Sequence, residues 1–294
     1  MLRLFLIVFF PYLSAQAKPL LCLNMIVKNE KRVIERALHS AMPWIDYWVI
    51  VDTGSTDGTQ ELIKQTLHAI PGELYERPWK NFGFNRTEAL ELAKDKADYI
   101  IFLDADDYFE WHPEFAISML DRDAYYLTVN NKAKTFSYLR PNIIKTDLPW
   151  KWVGVTHEYL ACEATCSSSY LEGIVYILGG DGARSQDSCK YLKVAEELER
   201  GLQEEPENAR YQFYLAESYR DAGLLERLLE AYRKRVAMGG WAEEVFWSLF
   251  QMAELQQRLH YPMEEVLQRY YAQGTSRVGR RSLDRSEFVS YTAS

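Results

Sequence analysis

The chain has 294 residues, 48% hydrophobic and 14% aromatic, enough for one large domain or two modest ones and inconsistent with global disorder. Its 42 acidic residues outnumber 34 basic ones, for a net charge of -8. That balance argues against a nucleic-acid partner, whose phosphates require a clustered basic surface, but it does not exclude a single nucleotide bound through a metal.

At the N-terminus, Arg3 precedes an apolar run from Leu4 to Tyr12, followed by small residues at Ala15 and Ala17. This is the layout of a secretory signal peptide over residues 1–17 with an A-x-A cleavage site. The run is shorter than the roughly 20 residues of a transmembrane helix; a buried N-terminal strand or an uncleaved anchor is the alternative. A cleaved signal would place the protein in a lumen of the secretory pathway, an uncleaved one at a membrane; otherwise it is cytoplasmic. Cys22, Cys162, Cys166 and Cys189 are too few and too irregular for a disulfide scaffold. Cys162 and Cys166 either close a small loop in an oxidising compartment or are ordinary thiols.

From Leu20 onward, strand-like and helix-like segments alternate. Leu20 to Ile26 predicts a buried strand, and Asn29 to Met42 has helical spacing at Val33, Ile34, Ala37, Leu38 and Ala41. Tyr47 to Val51 is a second strand ending at Asp52, and the turn Thr53 to Gly58 leads into a helix from Thr59 to Ala69. Gly72 to Glu76 predicts a weaker strand and Asn85 to Lys96 a helix. Tyr99 to Leu103 is then an apolar strand that stops at Asp104, Asp106 and Asp107. Continuous apolar strands alternating with helices predict an α/β fold with a mostly parallel sheet covered on both faces.

Ala124 to Asn130, Tyr138 to Lys145, Trp152 to Ala161 and Ile174 to Leu178 predict a mixed or antiparallel extension of that sheet. Gly179 to Gly182 reads as a loop and boundary. Beyond Asp187 the chain predicts only helices. Phe213 to Glu217 is echoed by Phe250 to Glu254, 37 positions later, a pattern resembling tetratricopeptide-type hairpins. The organisation expected is therefore a first domain over 20–183, a small all-α helical-hairpin domain over 187–275, and a polar tail over 276–294.

The three carboxylates at Asp104, Asp106 and Asp107 carry the functional signal. Alone they also fit a solvated acidic turn. However, Asp52 would end a neighbouring parallel strand on the same edge, where open α/β sheets bind ligands. Hard cations such as Mg²⁺ and Mn²⁺ are commonly held there by one or two carboxylates plus substrate phosphates. Taken together, Met25 to Glu30, Val49 to Thr59, and Asp104-Ala105-Asp106 resemble family 2 glycosyltransferases with the GT-A fold, over roughly residues 20 to 180.

The resemblance implies a hexosyltransferase-like enzyme that moves a sugar from a nucleotide-sugar donor to a hydroxyl of a saccharide, lipid or protein, with inversion and with Mn²⁺ or Mg²⁺. Asp52 would accept a hydrogen bond from the base, with Asn29 and Glu30 lining the same pocket. Asp57 lies nearby, and a helix-capping role fits it equally. Arg86 would reach the diphosphate, or is a surface charge. Asp106 would ligate the metal, Asp104 the ribose or metal, and His157 would be a further metal ligand, or is a satisfied core or rim histidine. Relatives often place the acceptor base in a Glu-Asp pair that this interval lacks, which leaves Glu158 and Asp181 as candidates. Trp150 and Trp152 share a strand face suited to an acceptor sugar, although core packing suits them too. The helical part would dock an acceptor, a protein partner or another subunit. Two other classes fit less well. A nucleotidyltransferase would want a Gly- and Lys-rich phosphate loop where Lys28-Asn29-Glu30 stands. A non-catalytic helical-repeat scaffold would have little need of intact Asp52, Asp104 and Asp106.

Overall fold

The computed structural model describes residues 18–113, 115, 120–262 and 264. The expected signal peptide at 1–17 and polar tail at 276–294 lie outside them. The first strand, β1 (Leu21–Val27), runs between β2 (Tyr47–Asp52) and β4 (Tyr99–Phe102), both parallel to it, and β3 (Gly72–Glu76) pairs with β2, also parallel. Alternation sorts β1 between two cores. Leu21, Leu23 and Met25 pack on one face with α1 (Ile34–Ala41) and α2 (Thr59–Thr66), while Cys22 packs on the other with α3 (Phe82–Ala93). Ile34 and Leu38 of α1 are both fully buried, contributing roughly 1.5–3 kcal/mol each. Buried Asn24 of β1 donates from Nδ2 to the Ala89 carbonyl at 2.8 Å, fastening α3 to the sheet.

Beyond β4 the sheet becomes mixed. It continues through β7 (Ser137–Lys145), β6 (Ala124–Asn131), β10 (Ser168–Leu178) and β5 (Tyr108–Trp111), in the order β3-β2-β1-β4-β7-β6-β10-β5. β7 is antiparallel to both β4 and β6, whereas β10 is parallel to β6. The segment expected as one strand from Trp152 to Ala161 is instead a separate hairpin, β8 (Trp150–Val153) against β9 (Tyr159–Cys162). Gly154, at φ 118°, and His157, at φ 49°, turn the chain between them. This hairpin covers the α3 face of the sheet, where Trp150 joins Leu90, Ile100 and Phe102.

The remaining helices, α4 (Lys190–Glu204), α5 (Ala209–Asp221), α6 (Leu225–Met238) and α7 (Ala242–Arg258), pack each on the next. Their core holds Leu198, Tyr214, Leu215, Tyr219, Tyr232 and Leu255, and it also takes in Val155 from the β8–β9 turn. The Asn208 side chain caps α5 by accepting from the Tyr211 N–H at 3.1 Å. Between α6 and α7 lies a buried ion pair: Arg235, 1% exposed, donates to Glu244 Oε2 from Nη2 at 2.9 Å and from Nε at 3.1 Å. Arg235→Ala leaves the Glu244 carboxylate buried without its partner and is expected to cost about 3–5 kcal/mol. Urea unfolding measures this; a cost below about 1 kcal/mol would contradict the account.

Candidate active site

Strand register sets the site. Asp52 is the last residue of β2, opposite Val27 of β1 and Glu76 of β3, and Asn24 of β1 pairs with Phe102 just before the acidic turn. The ends carrying Asp52 and Asp104 therefore flank the end of β1 on one sheet edge. Asp52 is fully buried. Its Oδ1 accepts from the Gly54 and Ser55 N–H groups at 2.8 and 2.7 Å, closing the turn. Its Oδ2 is buried with no hydrogen-bond partner among the described residues. A buried carboxylate oxygen without a donor costs free energy, which makes this atom a natural acceptor for a ligand N–H. A polar cleft of about 320 Å³ lies beside this turn, lined by Ser55, Thr56, Gly58, Thr59 and Glu76.

The other residues of this half divide into loop-formers and residues that face the acidic turn. Asn29, at φ 57°, accepts from the Thr56 N–H through Oδ1 at 2.8 Å, tying the end of β1 to the 53–58 turn. Asp57 accepts from the Thr59 and Lys31 N–H groups at 3.0 and 3.1 Å. Partial burial works against its charge, but these bonds win and hold it below the usual carboxylate range. Its Oδ1 thus serves the start of α2 and its Oδ2 the loop between β1 and α1. Glu30 looks the other way: burial, reinforced by the charges of Asp106, Asp57 and Asp104, pushes it up to about 7.

In the acidic turn the three carboxylates have different surroundings. Asp104 Oδ1 accepts from Arg86 Nη2 at 2.5 Å, and its N–H donates to the Tyr176 hydroxyl at 3.0 Å. Burial raises its pKa, but Arg86 and then Arg140 outweigh burial and keep it ionised. Asp107, given no separate role by the sequence, is 4% exposed. It accepts from Tyr176 Oη and from the Gly179 N–H, both at 2.7 Å. Burial and the charges of Asp104 and Asp106 push it up to about 7. Asp106 is raised by the same two causes, burial first and then Asp104, and its Oδ2 accepts from the Gly182 N–H at 3.2 Å.

Arg86, in the second turn of α3, connects the two halves of the site. Its Nε donates to Glu158 Oε1 at 2.7 Å while Nη2 holds Asp104, and the guanidinium lies 5.2 Å from the Trp152 ring centroid. The fork expected to reach a diphosphate is thus engaged by two carboxylates. Glu158 follows the bend, which frees His157 from strict strand alternation. The His157 ring stacks on Tyr214 of α5, 4.0 Å apart and 6° from parallel. Burial, then Arg184 and Arg210, lower it to about 3, so it is neutral. Trp150 is 7% exposed and belongs to the core, a correction to its reading as an acceptor platform. Trp152 packs its edge on Phe102 at 5.1 Å.

The 179–184 loop closes over the acidic turn. A Cβ on Gly179 would lie 1.7 Å from the Asp106 carbonyl oxygen, and one on Gly182 would lie 2.8 Å from Asp106 Oδ2; only glycine permits this approach. Asp181 fixes the loop by pairing with Arg36 at 2.6 Å and Lys132 at 3.0 Å. The Arg36 bond chiefly, with Lys132, holds Asp181 far below the ordinary carboxylate range, which makes it a weak proton acceptor.

The matched stretch of sequence covers this same edge. Residues 22–126 match the family described as Glycosyl transferase family 2. The match runs from β1 into β6 and is a likeness of that stretch to the family. The SPbeta prophage-derived glycosyltransferase SunS of Bacillus subtilis (strain 168) is 26% identical over 113 residues, spanning 38% of this chain and only 26% of that protein. Among solved structures, S. aureus TarS 1-349 has a TM-score of 0.45 at 14% identity, with 87% of this chain and 92% of that one covered. Glucosyl-3-phosphoglycerate synthase from Mycobacterium tuberculosis, solved with Mn²⁺ and uridine-diphosphate-glucose, has a TM-score of 0.25 at 24% identity, over 32% of this chain and 36% of that one.

A divalent cation fits the chemistry of the acidic turn. Asp104 and Asp106 are hard oxygen donors; burial first, and then neighbouring carboxylates, Asp104 for Asp106 and Asp106 for Glu30, raise Asp106 and Glu30, a repulsion that a cation would relieve. No cluster of three or more His, Cys, Asp or Glu residues suited to a metal occurs among the described residues, and the His157 ring lies on Tyr214. Tyr176, Arg140 and Arg36 are the site residues that sequence reasoning missed. Tyr176 is a fully buried polar residue in an apolar strand, which was the available signal; Arg36 reads as an ordinary helix-surface charge.

Glu30 gives the site a pH signature. Its folded-state pKa, about 7, lies above its ordinary 4.5, so the native state binds the extra proton. The stability it contributes is fully present below about pH 4.5 and lost as pH rises through about 7. Glu30→Gln is expected to reduce the fall in urea midpoint across this window; an unchanged slope would contradict the assignment.

Proposed function

We propose that the protein transfers a hexose-type sugar, with inversion, from a nucleoside-diphosphate donor to an acceptor hydroxyl on a saccharide, lipid or protein. One observation carries this reading. Asp52 with its unpartnered oxygen, the Asp104–Asp106 turn and the Arg86–Glu158 pair all converge on one edge of the sheet. Asp52 Oδ2 accepts a base N–H. Asp106, with Asp104 beside it, would hold Mn²⁺ or Mg²⁺ against the diphosphate, where the cation supplies charge neutralisation for the leaving group.

Glu158 is the proposed base, removing the acceptor proton as the hydroxyl attacks the anomeric carbon. Its side chain is 12% exposed, so it is shielded yet reachable, and Arg86 fixes its orientation. Asp181 is the weaker candidate, since Arg36 and Lys132 stabilise its ionised form; its proposed role is to hold the 179–184 loop over Asp106. A lumenal location is proposed on the N-terminal pattern Arg3, Leu4 to Tyr12, Ala15 and Ala17, and N-terminal sequencing of the mature protein, which reads whether the signal is cleaved, tests it.

Turnover of a panel of nucleotide sugars with Mn²⁺, with the anomeric configuration of the product read by NMR, tests the reaction. Inversion is expected, and Glu158→Gln is expected to lower kcat by roughly 10²–10⁴-fold. Asp181→Asn is expected to alter the donor KM more than kcat. Retention of configuration, or full activity of Glu158→Gln, would overturn the assignment.

A further inference from the structure

The bend that carries Glu158 is not held by strand pairing. The β8–β9 ladder stops at Val153 and Tyr159, so residues 154–158 must find their partners elsewhere. They find them on two sides. Towards α3, the Gly154 and Val155 carbonyls accept from the Gly83 and Phe82 N–H groups at 3.1 and 3.0 Å, satisfying the first turn of the helix that bears Arg86. Gly83 is packed so closely here that a Cβ would lie 2.2 Å from the Gly154 oxygen.

Towards the C-terminal helices, the Val155 N–H donates to the Tyr211 hydroxyl at 3.2 Å, and Arg210 Nη2 donates to the His157 carbonyl at 2.8 Å. The His157 ring lies on Tyr214, and the Val155 side chain enters the helical core, with Gly201 beside it. Val155 thus has its carbonyl bonded to α3 and its N–H bonded to α5. From it the chain leads through Glu158 and Arg86 to Asp104 by contacts of 2.7 and 2.5 Å.

We propose that the C-terminal helices are part of the catalytic unit, with Arg210, Tyr211 and Tyr214 of α5 serving as positioning residues that seat the 154–158 bend and so aim Glu158. The proposal rests on the reading of Glu158 as the base. It accounts for three features within one stretch of α5 that packing among helices does not require: a tyrosine hydroxyl, a guanidinium and a ring face all directed onto one five-residue bend. A reacting group displaced by about 1 Å loses on the order of 10²-fold in rate, so even a partial loosening of this seat is visible in kcat.

The test compares the full chain with Tyr211→Phe, Tyr214→Ala and Tyr214→Phe by kcat, donor KM and hydrogen exchange of the amides at 154–158. Tyr211→Phe and Tyr214→Ala are expected to speed exchange in the bend and lower kcat about tenfold, with donor KM within about twofold of the parent. Tyr214→Phe, which keeps the stacked ring, is expected to restore kcat. Should Tyr214→Ala fail to fold, Tyr211→Phe, lacking a single oxygen, decides. The inference is overturned if both variants keep parental kcat, or if KM and kcat worsen together and Tyr214→Phe does not restore them. A parent that is active and is silenced by Glu158→Gln, beside fully active α5 variants, overturns this inference alone. A parent that transfers no sugar overturns the proposed function and this inference with it.

Discussion

Carboxylate crowding at one sheet edge is the constraint around which this molecule is arranged. Asp104, Asp106, Asp107 and Glu30 lie close enough that burial and mutual repulsion raise three of the four. Asp104 alone is lowered, because Arg86 and Arg140 stand beside it. Protein groups absorb the rest. Tyr176 donates to Asp107, the Gly179 and Gly182 amides bond Asp107 and Asp106, and the Ala183 amide bonds Glu30. Each of these donors arrives from β10 or the loop after it, which ties the mixed half of the sheet to a site built at the ends of parallel strands.

Arg86 transmits this arrangement outward. A guanidinium bonded to two carboxylates has a fixed orientation, and here it couples the acidic turn to Glu158 on the β8–β9 bend. The same bend supplies carbonyls to the start of α3 and receives bonds from α5. Three parts of the chain distant in sequence, α3, the hairpin turn and α5, therefore determine one another's positions. The 179–184 loop is fixed independently through Asp181, Arg36 and Lys132.

Much of the first half was legible in the sequence because its signals are local. Apolar runs ending in Asp52 and Asp104 specify buried parallel strands, and parallel register then brings their ends together without further information. The antiparallel half was less legible. Trp152 to Ala161 has strand composition throughout, and nothing in its residue types announces the positive φ at His157 that splits it. The roles of Arg36, Arg86 and Arg140 depend on tertiary neighbours, so composition could not distinguish them from surface charges. Trp150 shows the second of its two readings prevailing: an aromatic at the right spacing for a sugar platform is drawn into the core by its apolar area. Asp107 could not be told from its two neighbours because adjacency hides burial; its two hydrogen bonds come from residues some 70 positions away.

The central claim is that the acidic strand end serves as a clamp for a cation and a diphosphate. Calorimetric titration of a panel of nucleoside diphosphates, with and without Mn²⁺, tests it most directly. The account predicts that at least one nucleotide binds measurably with Mn²⁺, binds far more weakly without it, and loses the Mn²⁺ enhancement in Asp106→Asn. Nucleotide affinity that is the same with and without Mn²⁺, and unchanged by Asp106→Asn, would contradict it.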